Sequence, residues 1–109
     1  MKLDFNEIPV QKLPEFKQGV GVFNARMFTD DRCKIMRGSL EPGSTIGWHC
    51  HDTSCEIIYV LSGKGRMLVR DGEEDLGPGD CHYCPKGHSH SFTNPGKEPL
   101  VFFAVVPEQ

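Results

Sequence analysis

Four side chains stand out by type and spacing. His49 and His51 are two residues apart, Glu56 follows five residues on, and His90 comes from a later segment. On a strand the side-chain period is two, so the two imidazoles of His49-Cys50-His51 point the same way and can face one interior. Asp52-Thr53-Ser54-Cys55 then separates them from Glu56, the first residue of an apolar run. If that run pairs back antiparallel, its carboxylate comes beside the two rings. Three neutral imidazoles and one carboxylate are a donor set for a first-row divalent metal, with one or two coordination positions left open. Taken singly, each of these residues reads as an ordinary polar surface group. It is the ensemble that points to chemistry.

The elements that must position this set can be read from the punctuation. Glycine (12) and proline (8) together make about 18% of 109 residues, against roughly 12% in average usage. So many breakers leave little room for helices and favour short strands. Strands are expected at residues 22–28, 33–40, 45–51, 56–61, 66–70, 73–76, 81–84, about 90–93, and 100–106. Glu41-Pro42-Gly43-Ser44, Ser62-Gly63-Lys64-Gly65, Asp71-Gly72 and Gly77-Pro78-Gly79-Asp80 are the intervening turns, with glycine and proline where tight turns want them. Residues 1–20 carry Pro9 and Pro14, which interrupt a helix and demote a strand to an edge. They are expected to form an N-terminal arm laid over the body or over a partner subunit, with residues 21–109 as one barrel domain. The strands at 56–61 and 100–106 are apolar on both faces apart from Glu56. A strand apolar on both faces must be covered on both, and a lone barrel of this length cannot cover every outer face, so a homodimer is expected.

Two motifs then align with a known family. The first reads Gly43-x5-His49-x-His51-x4-Glu56-x6-Gly63, and the second Gly79-x5-Pro85-x-Gly87-x2-His90-x3-Asn94, with 15 residues between them. This pattern resembles the cupin superfamily in its small, single-domain form, with the motifs spanning residues 43–94. The resemblance implies an all-β fold, the double-stranded β-helix or jelly-roll-type cupin barrel. It also implies His49, His51, Glu56 and His90 as ligands of a divalent metal ion (Mn, Fe, Ni, Co or Zn) inside that barrel. It is specific for fold and site but not for reaction, because the family spans many activities. Asn94 is read as a turn former rather than a ligand.

The remaining candidate residues also have plainer roles. Cys81-His82-Tyr83-Cys84 contains a C-x-x-C spacing, but a structural zinc needs a second pair. The five cysteines, odd in number, are read as free thiols of a reducing compartment. His88, Tyr59 and Tyr83 are candidates to move protons near the metal. His82 is not expected to be a ligand. Trp48, opposite in parity to His49, is expected on the outer face or at a subunit contact. Phe92 shares parity with His90 and either lines the cavity or fills the core. Arg26, Arg37, Arg66 and Arg70 could anchor a carboxylate substrate if they point inward.

Composition narrows the remaining classes. Lys and Arg number 12 against 15 Asp and Glu, a formal net charge of −3, so there is no basic footprint for nucleic acid. The longest apolar run is too short for a membrane span, and residues 1–4 lack the apolar core of a signal peptide, giving a cytoplasmic expectation. The expected function is metal-dependent chemistry on a small polar metabolite such as a sugar or sugar acid, of isomerase, lyase or dioxygenase type. The alternative is a cupin module that binds a small ligand or a metal without turnover.

Overall fold

The computed structural model describes all 109 residues and is built almost wholly of strands. In chain order they are β1 (Gln11–Pro14), β2 (Val22–Thr29), β3 (Cys33–Leu40), β4 (Thr45–Cys50), β5 (Glu56–Ser62), β6 (Gly65–Val69), β7 (Gly72–Leu76), β8 (Cys81–Cys84), β9 (Ser89–Thr93) and β10 (Leu100–Pro107). One 3-10 turn, Phe16–Gln18, follows β1. The strands form a six-stranded sheet in the order β1-β2-β3-β10-β5-β8 and a four-stranded sheet in the order β4-β9-β6-β7. Every pairing is antiparallel. The two sheets face each other in the jelly-roll arrangement.

Alternation along the strands places the core between the sheets. On β10, Leu100, Phe102 and Ala104 are buried, and on β5 Ile58 and Val60 join them. Phe23, Met36, Leu40, Ile46, Met67 and Phe92 complete most of this apolar cluster. Rings interlock within it: Phe92 packs edge-on against Phe102 at 5.2 Å between centroids, so Phe92 fills core rather than cavity. The opposite faces of β5 and β8 carry Ile57, Tyr59, Leu61 and Tyr83, all exposed.

The N-terminal residues pack on this same chain. β1 pairs with β2 as the edge of the larger sheet, Phe5 lies edge-on against Phe103, and two arginines hold the backbone before β1. The Arg26 guanidinium donates to the carbonyls of Phe5, Asn6 and Ile8 at 3.3, 3.3 and 2.7 Å, and Arg37 donates to the Asn6 side chain at 3.1 Å. The 3-10 turn lies against β4 at a contact only glycine permits. A Cβ on Gly47 would overlap the Lys17 carbonyl, and one on Gly19 would overlap that of Thr45.

Candidate metal centre

His49 enters the interior through an irregularity in β4. The register with β9 pairs Ile46 with Phe92 and His49 with His90, so β4 spends three residues where β9 spends two. Such a bulge adds one residue and rotates those beyond it. As a result Ile46 and His49, which strict alternation would place on opposite faces, both turn inward, and Trp48 is left half exposed on the outside. His51 lies just past the end of β4, and its backbone is clamped there. Its N–H donates to the His88 carbonyl at 2.9 Å and its carbonyl accepts from Gly87 N–H at 2.6 Å. Gly87 holds φ of 85°, a left-handed conformation that glycine adopts without a Cβ clash. Glu56 opens β5 opposite Cys84, and His90 lies on β9 opposite His49.

These four side chains converge. His90 Nε2 stands 3.2 Å from His49 Nε2, 3.1 Å from His51 Nε2 and 2.9 Å from Glu56 Oε1. Glu56 Oε1 is 3.1 Å from His51 Nε2, and all the donor atoms lie within 4.8 Å of one another. A cation with bonds of about 2.1 Å to nitrogen and oxygen sets ligands at right angles about 3.0 Å apart, which is the separation these close pairs show. The opposite nitrogens are engaged elsewhere. His49 Nδ1 donates to the Gly47 carbonyl at 2.7 Å, and His51 Nδ1 meets Ser54 Oγ at 3.3 Å.

His90 is oriented by a chain of groups that reaches solvent. Its Nδ1 is 3.1 Å from Nε2 of His82, a buried residue of β8, and His82 Nδ1 is 2.7 Å from a carboxylate oxygen of Glu74 on β7. Burial lowers the His82 pKa, against the opposing hydrogen bond to Glu74, so the neutral ring applies near pH 7. A carboxylate only accepts. His82 Nδ1–H therefore donates to Glu74, and His82 Nε2 accepts from His90 Nδ1–H. A neutral His90 is then left with a bare lone pair on Nε2, the atom aimed at the other three donors. Burial likewise lowers the His49 pKa, outweighing the Gly47 hydrogen bond. Burial alone would raise the Glu56 pKa, but its imidazole neighbours His51 and His90 outweigh it and hold the carboxyl at about 2. Lone pairs and a carboxylate facing one another at about 3 Å repel unless a cation lies between them. The donor set thus fits a divalent metal, taken by three imidazoles and one carboxylate.

The group forms part of the lining of a cavity of about 530 Å³. The structure does not bring the proton-transfer candidates to it. Tyr59 alternates with Glu56 on β5 and points outward, 45% exposed, and Tyr83, paired with Ile57, is 58% exposed on the same outer face. His88 is exposed and lines a separate cleft with Trp48, Arg70 and Tyr83. No arginine lines the cavity. Arg26 and Arg37 hold the N-terminal residues, and Arg66 pairs with Asp75 on the surface at 3.2 Å. The five cysteines are free, and Cys81 is exposed where Cys84 is buried. Burial pushes the Cys84 thiol up to about 11, so it is no ready nucleophile. Asn94 is a turn residue: its amide donates to the Leu40 and Glu98 carbonyls at 2.8 Å each, and its carbonyl accepts from Gly96 N–H. His82 and Glu74 are the residues that sequence reasoning missed. His82 faces inward because β8 pairs it with the inward Ile58, a register that the spacing alone did not reveal.

Comparison with known proteins agrees with this geometry. The family model for the cupin domain matches residues 36–106. The oxalate-binding protein of Thermotoga maritima is 37% identical over 70 residues, covering 64% of this chain and 58% of that protein. The glucose-6-phosphate isomerase of Thermococcus kodakarensis is 37% identical over 65 residues, covering 55% of this chain and 34% of that enzyme. The chain therefore spans about three-fifths of the first relative's length and a third of the second's. Among solved structures, a "predicted oxalate decarboxylase" from Thermotoga maritima superposes with a TM-score of 0.93 at 27% identity, covering the whole of both chains. With the family model spanning both histidine strands, the acidic residue and the core around them, the chain belongs to the cupin family.

Proposed function

We propose that this cupin holds a divalent metal ion through His49, His51, Glu56 and His90 and binds a small oxygen-bearing molecule beside it. The observation that carries the reading is the convergence of three imidazole nitrogens and a carboxylate oxygen at about 3 Å on the wall of a cavity. When bound, a metal of this class supplies Lewis-acid polarisation of a ligand oxygen. The chain's own contribution is to present lone pairs, through the Gly47 carbonyl for His49 and the His82–Glu74 pair for His90. As an enzyme it would be an isomerase, lyase or dioxygenase.

One observation favours a second reading, a binding module without turnover. Apart from the four donors, no histidine or tyrosine lines the cavity, so none of the proton-transfer candidates His88, Tyr59 and Tyr83 reaches it. The two readings part on turnover: metal-loaded protein that binds ligands yet converts none across a panel of sugar acids, sugar phosphates and dicarboxylates supports the module.

The metal reading is tested directly. Purified protein should contain close to one equivalent of a divalent metal by elemental analysis. The His51→Ala variant should lose most of it, and chelation should lower the melting temperature of the parent protein but not of the variant. Unchanged metal content in the variant would refute the centre. The reading extends to two further expectations. The five free thiols suit a reducing compartment such as the cytoplasm, and the exposed apolar face of β5 and β8 suits a homodimer.

A further inference from the structure

We infer that the cavity takes a ligand with a chelating oxygen head and an apolar body, rather than a phosphorylated or multiply charged metabolite. The inference rests on the metal reading for the head group only; the body is read from the chain's own walls. Beside the four donors the lining carries an apolar stretch, Phe16, Met27, Met36, Ile58, Phe102 and Val106, next to the polar Thr29, Thr53 and Ser54 and a set of charged groups. Met27, Phe16 and Val106 are only partly buried although they pack against the core, so they present apolar surface to whatever enters.

The charges around this cavity oppose an anionic body. Two cations line it, Lys17 and Lys34, against Asp30, Asp31, Asp52 and Glu108, with Glu56 at the donor group. The Lys17 ammonium sits 5.5 Å over the Phe16 ring, already engaged. A phosphate would meet more carboxylates than cations, and no arginine offers the paired donors that such groups take. A polyhydroxy chain fares no better. Some of its hydroxyls would pair with Thr29, Thr53, Ser54 or the carboxylates, but those set against methionine, isoleucine and phenylalanine would lose water without gaining partners, and unpaired buried polar groups are costly. An apolar body lying along Phe16, Met27 and Val106 meets neither penalty. The relatives' printed ligands, oxalate and glucose 6-phosphate, are small anions, so this cavity departs from them in its walls rather than in its donors.

The test separates head from body. A series from acetohydroxamate to hexanohydroxamate keeps one chelating head and lengthens one apolar tail. Titrated into metal-loaded protein with calorimetric readout, affinity should rise by up to about four-fold per methylene, the factor equivalent to roughly 0.8 kcal/mol for a buried CH₂. The methyl resonances of Met27 and Met36 should shift as tails lengthen. Those of Met67, a fully buried residue away from the cavity, should stay. The variant Met27→Glu should flatten the series with metal content unchanged. Repeating the methionine titration on metal-free protein should show the same tail dependence at weaker overall affinity. Protein that takes up no metal would overturn the centre, while the slope in the metal-free state would still decide the body. A flat series in both states, or tighter binding of oxalate or glucose 6-phosphate than of hexanohydroxamate, overturns the inference.

Discussion

Four donors converge at the centre, but only one of them depends on a polar chain that crosses between the sheets. His90 Nδ1, His82 and Glu74 are linked at 3.1 and 2.7 Å, and the Glu74 end is about half exposed. Groups that fix a ligand imidazole's tautomer from behind typically matter by about 10- to 100-fold in metal affinity. Replacing His82 with Ala should therefore weaken metal binding by roughly that factor, measured by competition with a chromophoric chelator. Glu74→Gln should weaken it less, because an amide oxygen still accepts from His82 Nδ1–H. The ordering of the two variants distinguishes orientation of His90 from simple loss of packing. If His82→Ala binds metal as tightly as the parent, the relay has no orienting role.

At the scale of elements, β4 carries the precision of the site through a two-residue irregularity. Gly47 accepts the His49 Nδ1 hydrogen bond with its carbonyl and admits the 3-10 turn against its Cα. A methyl group there meets backbone rather than a yielding side chain, so Gly47→Ala should cost about 1–3 kcal/mol as overpacking does. It should also displace His49, lowering metal content more than a substitution of equal stability cost elsewhere, such as Ile35→Ala on the outer side of β3. Thermal melts and elemental analysis on the two variants check this. Much of the surrounding element order was legible beforehand, because Pro-Gly and Asp-Gly turns mark strand ends almost residue by residue; β8 (Cys81–Cys84) was read with its observed bounds. The short β1 was not, since Pro14 and a mixed pattern conceal an edge strand. Side-chain direction was legible only within one strand. Alternation from Glu56 already sends Tyr59 outward, whereas the facing of His82 and the inward turn of His49 follow from register and a bulge, which depend on neighbouring strands.

For the whole molecule, the unresolved asymmetry lies between the two faces of the larger sheet. Its inner face is covered by the core, while its outer face presents Ile57, Tyr59, Leu61 and Tyr83, between 39% and 58% exposed. The cross-strand pairs set these residues side by side. Ile57 lies between Val105 and Tyr83, and Tyr59 between Phe103 and Cys81, so the exposed groups form one patch rather than scattered singles. Phe5 covers Phe103 from one side and leaves the tyrosines open. Contiguous apolar patches rich in tyrosine mark association surfaces, and a second copy of the same sheet offers a surface of matching character, as a two-fold interface requires. The protein should therefore sediment as a dimer at micromolar concentration. The double variant Ile57→Asp with Tyr59→Asp should sediment as a monomer, because two like charges per copy would face each other across the axis. Its metal content should be unchanged, since Glu56 and Ile58 point to the other side of β5. A parent protein that stays monomeric over a hundred-fold range of concentration would contradict the assignment and leave the outer face without a partner.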